Sequence, residues 1–363
     1  MYALDTELTR LAVALAPLPA QAGSPFTACA QLALPARQVP WQGTGIRVRA
    51  GQSYSIFASG RVQWAPGVPE LHGGPRFHLW ARVVPGGRIR NLREDTDTFI
   101  ADTDGEIELG LYIGVWGDAQ GALATGPGLY ARLDGGLDAL VIAWREAAAA
   151  GLAALQGSLC SPLLAAEAAH LAGQPPTPPG WRHLLETGES HLFTPGRTPE
   201  GAPSIRIDGS DDQGILCREF AFPLTPATRL SWAWRLEAHP SRVAEDSVRA
   251  HDYISIATEF DNGRDLTWFW SAKLPSGQHF PCPVKAWSHR ETHMVVRSGS
   301  AGLGQWQREE RVIRADVAQA MGPPPGRIVR VWLIAVASFQ HGSLRAEFSD
   351  IRLSDGARTS HVL

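Results

Sequence analysis

The sequence predicts an all-β protein made of two antiparallel, jelly-roll-like β-sandwich domains joined by a helical linker that ends in prolines. Three observations support this fold class. Short runs of alternating apolar and polar residues recur in both halves of the chain, as expected for half-buried strands. Many of the 37 glycines and 27 prolines stand between these runs, where they favour turns. An Ala- and Leu-rich stretch near the middle has the composition of helices, and a Pro-rich segment follows it.

These patterns divide the chain into four segments. Residues 1–38 are expected to form an N-terminal helix and an extended arm, and residues 39–145 to form the first, lectin-like sandwich. Residues 146–180 are the predicted helical and Pro-rich linker, and residues 181–363 are the second sandwich. A chain of 363 residues is long enough for two domains of ordinary size.

The second sandwich contains two predicted β-hairpins. Residues 253–260 and 266–270 flank an Asn-Gly pair at 262–263, and Asn-Gly between alternating runs favours a tight hairpin turn. Residues 331–339 and 344–353 are two more strand-like runs with a short gap between them, so they predict a second hairpin.

Composition excludes several classes of partner. The chain has 44% hydrophobic and 19% charged residues, which is typical of a globular protein rather than a disordered one. Its 33 basic residues are balanced by 36 acidic ones, and the basic residues are not concentrated in either half. Nucleic-acid binders and proteins that bind anionic membranes usually have a concentrated positive face. We therefore expect neither nucleic acid nor a membrane as partner.

The first residues and the cysteines indicate the compartment. Asp5 and Glu7 precede a short apolar run, whereas a secretory signal begins with basic residues. No segment approaches the ~18 apolar residues of a membrane-spanning helix. The thiols are far apart in sequence without a CxxC pair, which favours separate thiols in a reducing compartment over disulfides or a zinc site. These are Cys29, Cys160, Cys217 and Cys282. We expect a cytoplasmic protein.

Two stretches of the first sandwich resemble the PA-IL-type galactose-binding lectins. Residues 118–121 read Asp-Ala-Gln-Gly, and Gly128 and Tyr130 follow with the spacing of that family's calcium and sugar loop. Residues 51–66 resemble the strand and first binding loop of the same family.

The resemblance implies a sugar site. In these lectins an Asp, loop side chains and a backbone carbonyl hold a calcium ion, which binds two sugar hydroxyls. By resemblance Asp118 and the carbonyl of Trp64 keep those roles, and Thr125 is the other calcium ligand of the loop. Ala122 stands where the family has Thr, and Thr125 and Gly126 stand where it has two Asn. Since calcium takes about six to eight oxygens, a second interpretation is that Asp118 only forms a turn.

Residues 181–355 resemble an uncharacterised bacterial family, domain-of-unknown-function family 3047. His251 stands where that family usually has an acid, and residues 338–342 lack its acid-rich segment. The resemblance implies a jelly-roll fold and leaves the activity open. The matching stretches are residues 230–236, 251–253, 268–271 and 348–353.

The run 253–260 is the candidate site of the second sandwich. If its apolar residues face the core, Tyr253 and Glu259 face the other way, towards what is often the concave binding surface of a jelly roll. Trp268 and Trp270 follow across the turn. Either they share the face of Glu259 and stack on a sugar, or they are core residues, as most tryptophans are.

An enzyme would need a second acid or base near Glu259. We expect Asp252 and Tyr253 to act with Glu259 in that case, and His251 to contact the ligand. The partner carboxylate remains open among several acids, namely Asp252, Asp265, Glu309 and Glu310.

Other chemistries are not indicated. The sequence contains no GxSxG, Walker or Rossmann motif. His289 and His293 are four residues apart, but on a strand this spacing separates them by about 13 Å, too far to share one metal ion.

Three hypotheses follow from these features. The first is a two-domain protein that binds a carbohydrate or another small organic ligand. The alternative is an enzyme of the hydrolase, lyase or cyclase type that uses acid–base chemistry in the concave face of the second sandwich. The third is a non-catalytic scaffold. No cofactor is expected beyond the calcium that the lectin resemblance implies, and the oligomeric state stays open.

Overall fold

A computed structural model describes residues 6–38, 40–65, 67–114, 116–124 and 126–363. The chain forms two compact units, an N-terminal unit (Met1–Gln174) and a C-terminal unit (Pro175–Leu363). Both are built from mainly antiparallel sheets, so the predicted all-β, two-sandwich fold is confirmed. No helix among the described residues is long and apolar enough to cross a membrane.

The N-terminal unit has two sheets and several helices. The five-stranded sheet has the order β1-β9-β3-β4, with β7 also paired to β3, and the four-stranded sheet has the order β2-β8-β5-β6. The strands are β1 (Phe26–Pro35), β2 (Trp41–Val48), β3 (Ser53–Gln63), β4 (His72–Gly73), β5 (Leu79–Val84), β6 (Arg90–Asn91), β7 (Thr96–Ile100), β8 (Gly105–Leu111) and β9 (Asp134–Trp144). The helices are α1 (Thr6–Leu15), α2 (Pro75–His78), α3 (Ala148–Gln156) and α4 (Pro162–Gly173), with 3₁₀ turns at Leu18–Ala20 and Pro127–Arg132.

Helices α1, α3 and α4 bury one face of the five-stranded sheet. Their leucines pack with strand residues such as Phe57 and Trp144 in a single apolar cluster. The Cα of Gly151 lies so close to the Trp144 ring that an added Cβ would be 2.2 Å from it. The structure therefore differs from the expected linker at 146–180, because its two helices belong to the N-terminal unit and only the Pro-rich stretch after Gln174 starts the next one.

The C-terminal unit is a sandwich of a seven-stranded and a six-stranded sheet. The seven-stranded sheet has the order β10-β13-β20-β15-β16-β18-β17, and the other has the order β11-β12-β21-β14-β19 with β22 beside β21. The elements are β10 (Arg182–His183), β11 (Phe193–Arg197), β12 (Pro203–Ser210), β13 (Gln213–Pro223), β14 (Arg229–Leu236), β15 (Tyr253–Phe260), β16 (Asp265–Ser271), β17 (His279–Pro281), β18 (Glu291–Ser298), β19 (Gln307–Val312), α5 (Ile313–Ala320), β20 (Arg327–Val336), β21 (Ser343–Ser354) and β22 (Thr359–His361), with a 3₁₀ turn at Val248–Ala250.

The two faces of the seven-stranded sheet are both buried. Its inner face packs on the six-stranded sheet, and its outer face carries a second apolar cluster that includes Tyr253, Phe269 and Trp332. Strands buried on both faces read as nearly continuous apolar runs. Every residue of β15 and of β16 is accordingly buried.

The structure confirms one predicted hairpin and corrects the other. Strands β15 and β16 pair antiparallel through the Asn-Gly turn. The strands predicted to form the second hairpin, β20 and β21, lie in different sheets, so the chain crosses from one layer to the other between them. Both strands contribute residues to the core between the sheets.

Candidate functional site

A row of charged side chains crosses the outer face of the seven-stranded sheet. Cross-strand partners point to the same face, and the register places one charged residue on each of five successive strands. We call this set the charged row. Its members, in order from β13 to β18, are Glu219, Arg330, Glu259, Asp265 and Glu291.

Glu259 is held by a bidentate contact at the centre of the charged row. Arg330 Nη1 donates to both carboxylate oxygens of Glu259, at 3.0 and 2.9 Å. The Nε of Arg330 donates to Glu219, at 2.8 Å. Arg290 Nη2 lies 4.0 Å from Glu259 Oε1. Glu259 is thus the acceptor in a charge-assisted pair with Arg330.

Asp265, directly opposite Glu259, has a different environment. It is fully buried, its Oδ1 accepts from Thr267 Oγ1 at 3.3 Å, and its Oδ2 has no hydrogen-bond partner. The Nε of Arg290 lies 3.8 Å from that Oδ2, beyond hydrogen-bond distance. Burial raises the pKa of Asp265 well above its usual value, the negative charge of Glu291 adds to the rise, and Arg290 opposes it. The surroundings of Asp265 therefore favour its protonated form.

Aromatic rings lie next to these carboxyl groups. Trp332, on β20, is fully buried, and its indole N–H has no hydrogen-bond partner. Trp287 stands edge-to-face to it with ring centroids 6.5 Å apart. The guanidinium of Arg290 lies 5.1 Å from the centroid of Trp287 and 5.4 Å from that of Trp332. Cation, carboxyl groups and flat rings thus meet on one face of the sheet.

A second group of polar side chains surrounds Glu291. Tyr253 Oη donates to Glu291 Oε1 at 3.2 Å, and Thr267 Oγ1 lies 3.4 Å from the same oxygen. His293 and His251 are neighbours with ring centroids 5.1 Å apart. Burial raises the pKa of Tyr253 far above its ordinary value, and the charge of Glu291 adds to the rise. Burial also lowers the pKa of His251 to about 3.

The tryptophans expected at this face lie on the other one. Trp268 and Trp270 point into the core between the sheets, where they pack on Trp232 and Trp234. The Nε1 of Trp268 donates to Asp316, and that of Trp270 to the carbonyl of Gly299, both at 2.8 Å. The interpretation of these rings as stacking platforms beside Glu259 is therefore wrong, because the register pairs Trp268 with core residue Ile256.

Asp252 is not next to Glu259 either. Its two oxygens accept the backbone N–H groups of Phe339 at 3.0 Å and Gln340 at 3.1 Å, so it ties down the loop after β20. Burial raises the pKa of Asp252 to about 7, although these two hydrogen bonds oppose the rise. Its expected role as a catalytic partner of Glu259 is not supported by this position.

The partner acid of Glu259 is Asp265, its register neighbour. Glu309 and Glu310 lie on β19 in the six-stranded sheet. Sequence analysis did not single out Arg290, Arg330 or Trp332. The hairpin at 262–263 places Asp265 opposite Glu259, so this pairing can be predicted from the sequence. Arg290, Arg330 and Trp332 come from segments distant in the chain, so their positions at the site cannot.

In the N-terminal unit, the predicted sugar loop forms a turn. Asp118 Oδ1 accepts the N–H groups of Gln120 at 2.9 Å and Ala122 at 3.0 Å, which closes the loop on itself. Trp64 Nε1 donates to His78 Nε2 at 2.8 Å. Thr125, the other expected calcium ligand, lies outside the described residues.

A cleft of about 1210 Å³ lies elsewhere in the same unit, and neither Trp64 nor Asp118 lines it. Its polar lining includes Arg47, Arg49 and Arg145.

The fold and these sites define a protein of two β-sandwich units with a buried, charged face in the second. Residues 191–352 match the model of a protein family of unknown function, DUF3047, and this confirms the resemblance of the C-terminal half. A search of curated proteins finds no match.

Two solved structures are similar to parts of the chain. One is the N-terminal domain of EclA, a PllA-like lectin, at 16% identity over 31% of this chain and 95% of that one, with a TM-score of 0.25. The other is the xyloglucanase domain of NopAA, a type three effector from Sinorhizobium fredii, in complex with cellobiose. It is 8% identical over 49% of this chain and 99% of that one, with a TM-score of 0.28. Since both TM-scores are below 0.5, the fold assignment rests on the strand pairing described above.

Proposed function

We propose that the C-terminal unit is an enzyme that binds a small polar ligand of the sugar class at the charged row and performs acid–base chemistry on it. The observation that carries this proposal is the contrast between two neighbouring carboxyl groups. Glu259 is paired bidentately with Arg330, whereas Asp265 is buried without a partner for its Oδ2 and has a raised pKa. Neighbouring carboxyl groups in such different surroundings suit the roles of an acid and a base.

The contrast assigns a role to each group. Asp265, whose protonated form is favoured by its burial, is the general acid that donates a proton to the leaving or accepting oxygen of the ligand. Glu259, as a carboxylate, accepts a proton or stabilises positive charge that develops on the ligand. Arg290 lies 4.0 Å from Glu259 and 3.8 Å from Asp265, and it supplies a donor for a ligand hydroxyl.

Solvent reaches the charged row at Arg330 and at Arg290, which lies beside the row. The side chain of Glu259 is 8% exposed and that of Asp265 is fully buried, whereas that of Arg290 is 19% and that of Arg330 is 31% exposed. Trp287, half-buried over Arg290, offers a flat ring at the same side. A ring beside carboxylates and guanidinium groups suits a polyhydroxylated ligand, which offers both apolar C–H faces and hydroxyl groups.

Sugar binding without turnover is the second candidate. It is favoured by the engagement of Glu259, because both of its oxygens already accept from Arg330. In that case the charged row would only orient a ligand. The two candidates share the ligand class and differ in what Glu259 does.

The experiment uses the full chain on a glycan array and on a panel of chromogenic aryl glycosides. We expect Glu259→Gln to lower turnover at least ~100-fold while array binding persists, in keeping with the loss of an acid–base group. Glu310→Gln is the matched control, since Glu310 is 61% exposed on the other sheet. Unchanged turnover in Glu259→Gln would overturn the enzymatic role. Array binding by a wild-type protein that turns over no substrate would establish the second candidate, and neither binding nor turnover would reject both.

A further inference from the structure

Three side chains that are distant in sequence meet at the end of the charged row. His251 precedes β15, Cys282 follows β17, and His293 lies in β18. The pairing of β17 with β18 sets Phe280 opposite His293, and the next backbone hydrogen bond joins Cys282 to Glu291. Cys282 therefore points to the same face as His293 because it is two residues from Phe280.

The spacing of their donor atoms is that of a metal site. One nitrogen of each imidazole and the sulfur of Cys282 all lie within 4.8 Å of one another. The Sγ of Cys282 is 3.7 Å from Nε2 of His251. In tetrahedral zinc sites, bond lengths of about 2.3 Å to sulfur and 2.0–2.1 Å to nitrogen place those two ligand atoms roughly 3.5 Å apart. The sulfur of Cys282 and Nε2 of His251 are therefore already close to the spacing of two zinc ligands.

Three ring nitrogens of the cluster make no hydrogen bond. His251 is 4%, Cys282 2% and His293 0% exposed. Nδ1 of His251 and both ring nitrogens of His293 have no hydrogen bond. The Nε2 of His293 is 3.2 Å from Glu291 Oε1, but at an angle unsuited to a hydrogen bond. Buried imidazole nitrogens are normally satisfied, and a bound metal ion would satisfy one nitrogen of each ring.

The charge around the cluster also suits a cation. Glu291 is 4% exposed and, within the part of the chain that the structure describes, His293 is its ion-pair partner, with no lysine or arginine in that position. The nearest guanidinium, that of Arg290, is directed at Asp265, Glu259 and Glu186. A divalent ion beside Glu291 would supply the missing positive charge.

We propose that His251, Cys282 and His293 bind a divalent transition-metal ion, with zinc as the expected occupant. Imidazole with thiolate is a donor set that selects zinc-class ions over calcium or magnesium. Three protein ligands would leave one tetrahedral position for water, and Glu291, in ion-pair contact with His293, would be the carboxylate next to that ligand. On binding, the Cys282 thiol gives its proton to solvent and the sulfur becomes the ligand. The proposal does not depend on the acid–base function of Glu259.

A second group of metal-binding residue types differs from the cluster of His251, Cys282 and His293, the His-Cys-His cluster, in its hydrogen bonds. Asp97, Glu167 and His170 also lie close together in the N-terminal unit. There, Arg93 Nε donates to Asp97 at 2.8 Å and Thr98 Oγ1 donates to Glu167, so the carboxylates already have partners. That group is an ion-pair network, whereas the His-Cys-His cluster has unsatisfied nitrogens.

Cobalt(II) is the probe for this site, because a Co²⁺–thiolate bond produces a charge-transfer absorption band. The full chain is stripped of metal with a chelator and titrated with Co²⁺ alone. We expect the band to saturate at one ion per chain, and added Zn²⁺ to remove it, since zinc binds such sites more tightly than cobalt. Zn²⁺ should also raise the melting temperature of the wild-type chain, because the ion binds the folded state.

Matched cysteine variants locate the ion. Cys282→Ser and His251→Gln should each lose the band and the thermal shift, with folding checked by circular dichroism. Cys217→Ser, which alters a buried thiol on the same sheet, and Cys160→Ser, which alters an exposed one, should keep both. Absence of a band and of a thermal shift in the folded wild type would overturn the proposal. So would a band that survives Cys282→Ser and His251→Gln or disappears in Cys217→Ser or Cys160→Ser.

Discussion

At the scale of single residues, Glu259 and Asp265 show how neighbours determine the chemistry of a side chain. The two carboxyl groups are cross-strand partners, yet a guanidinium satisfies both oxygens of one and no hydrogen bond reaches Oδ2 of the other. An unpaired carboxyl group in a buried position favours the neutral form. The contact with Arg330, which Glu259 has and Asp265 lacks, accounts for the difference between these two carboxyl groups.

His78 predicts how the N-terminal unit responds to acid. Burial lowers the pKa of His78 to about 4, although the carbonyl of Tyr112 at 3.0 Å opposes this. Between pH 4 and the unfolded value near 6.5 the unfolded chain binds more protons, so stability is complete above that window and is lost as the pH falls through it. A shift of this size corresponds to roughly 3 kcal/mol.

Guanidinium denaturation of the full chain over this pH range checks the prediction, with hydrogen exchange reporting on peptides of the N-terminal unit. His78→Gln should flatten the rise in unfolding free energy from pH 4 to pH 6.5. His279→Gln, at an exposed position of the C-terminal unit, should leave it unchanged. An equal slope in wild type and His78→Gln would contradict the assignment.

A sequence pattern reveals those site residues whose arrangement depends on neighbours close by in the chain. The alternation in 253–260 placed Tyr253 and Glu259 on one face correctly. Trp268 was ambiguous because β16 is buried on both faces, so its sequence does not show which side meets the core. Arg330 and Cys282 contribute through pairings between strands far apart in the chain, which no local pattern reveals.

At the scale of elements, the β15–β16 hairpin holds the two carboxyl groups in register. Its turn requires Gly263 at a φ of +75°, in the left-handed region. A Cβ there would meet nothing within 4 Å, so the cost of a substitution is conformational.

Gly263→Ala should destabilise the C-terminal unit by about 1–2 kcal/mol, since a residue with a Cβ is strained in this conformation. Gly263→Asn is the control, because Asn tolerates the left-handed region far better and should recover most of the loss. Denaturant midpoints of the full chain measure both changes. Equal midpoints for the two variants would show that backbone conformation at the turn does not determine stability.

The strand order also shows why the second predicted hairpin does not form. Strands β20 and β21 are adjacent in sequence with a short connection, as hairpin strands are. Consecutive strands often pair, but a strand-like run does not show which sheet the strand joins. β20 instead lies between β13 and β15 in the larger sheet, and there Arg330 reaches Glu259.

At the scale of the whole molecule, each unit has its own core. The apolar cluster of the N-terminal helices involves no residue beyond 171, and both clusters of the C-terminal unit begin after residue 180. A unit with a complete core of its own is expected to fold independently.

Residues 175–363, expressed alone, should therefore unfold in one cooperative transition and keep the cobalt band proposed for the His-Cys-His cluster. The measurement is thermal unfolding followed by near-ultraviolet circular dichroism. A fragment without fixed near-ultraviolet signals would show that the C-terminal core is incomplete without residues 1–174.

Infrared difference spectroscopy tests the acid–base assignment most directly. Near neutral pH, the spectrum of wild type minus Asp265→Asn should contain the carbonyl band of a protonated carboxylic acid, and that of wild type minus Glu259→Gln should contain carboxylate bands. A carboxylate signal lost on Asp265→Asn, or an acid signal lost on Glu259→Gln, would contradict the division of roles on which the proposed function depends.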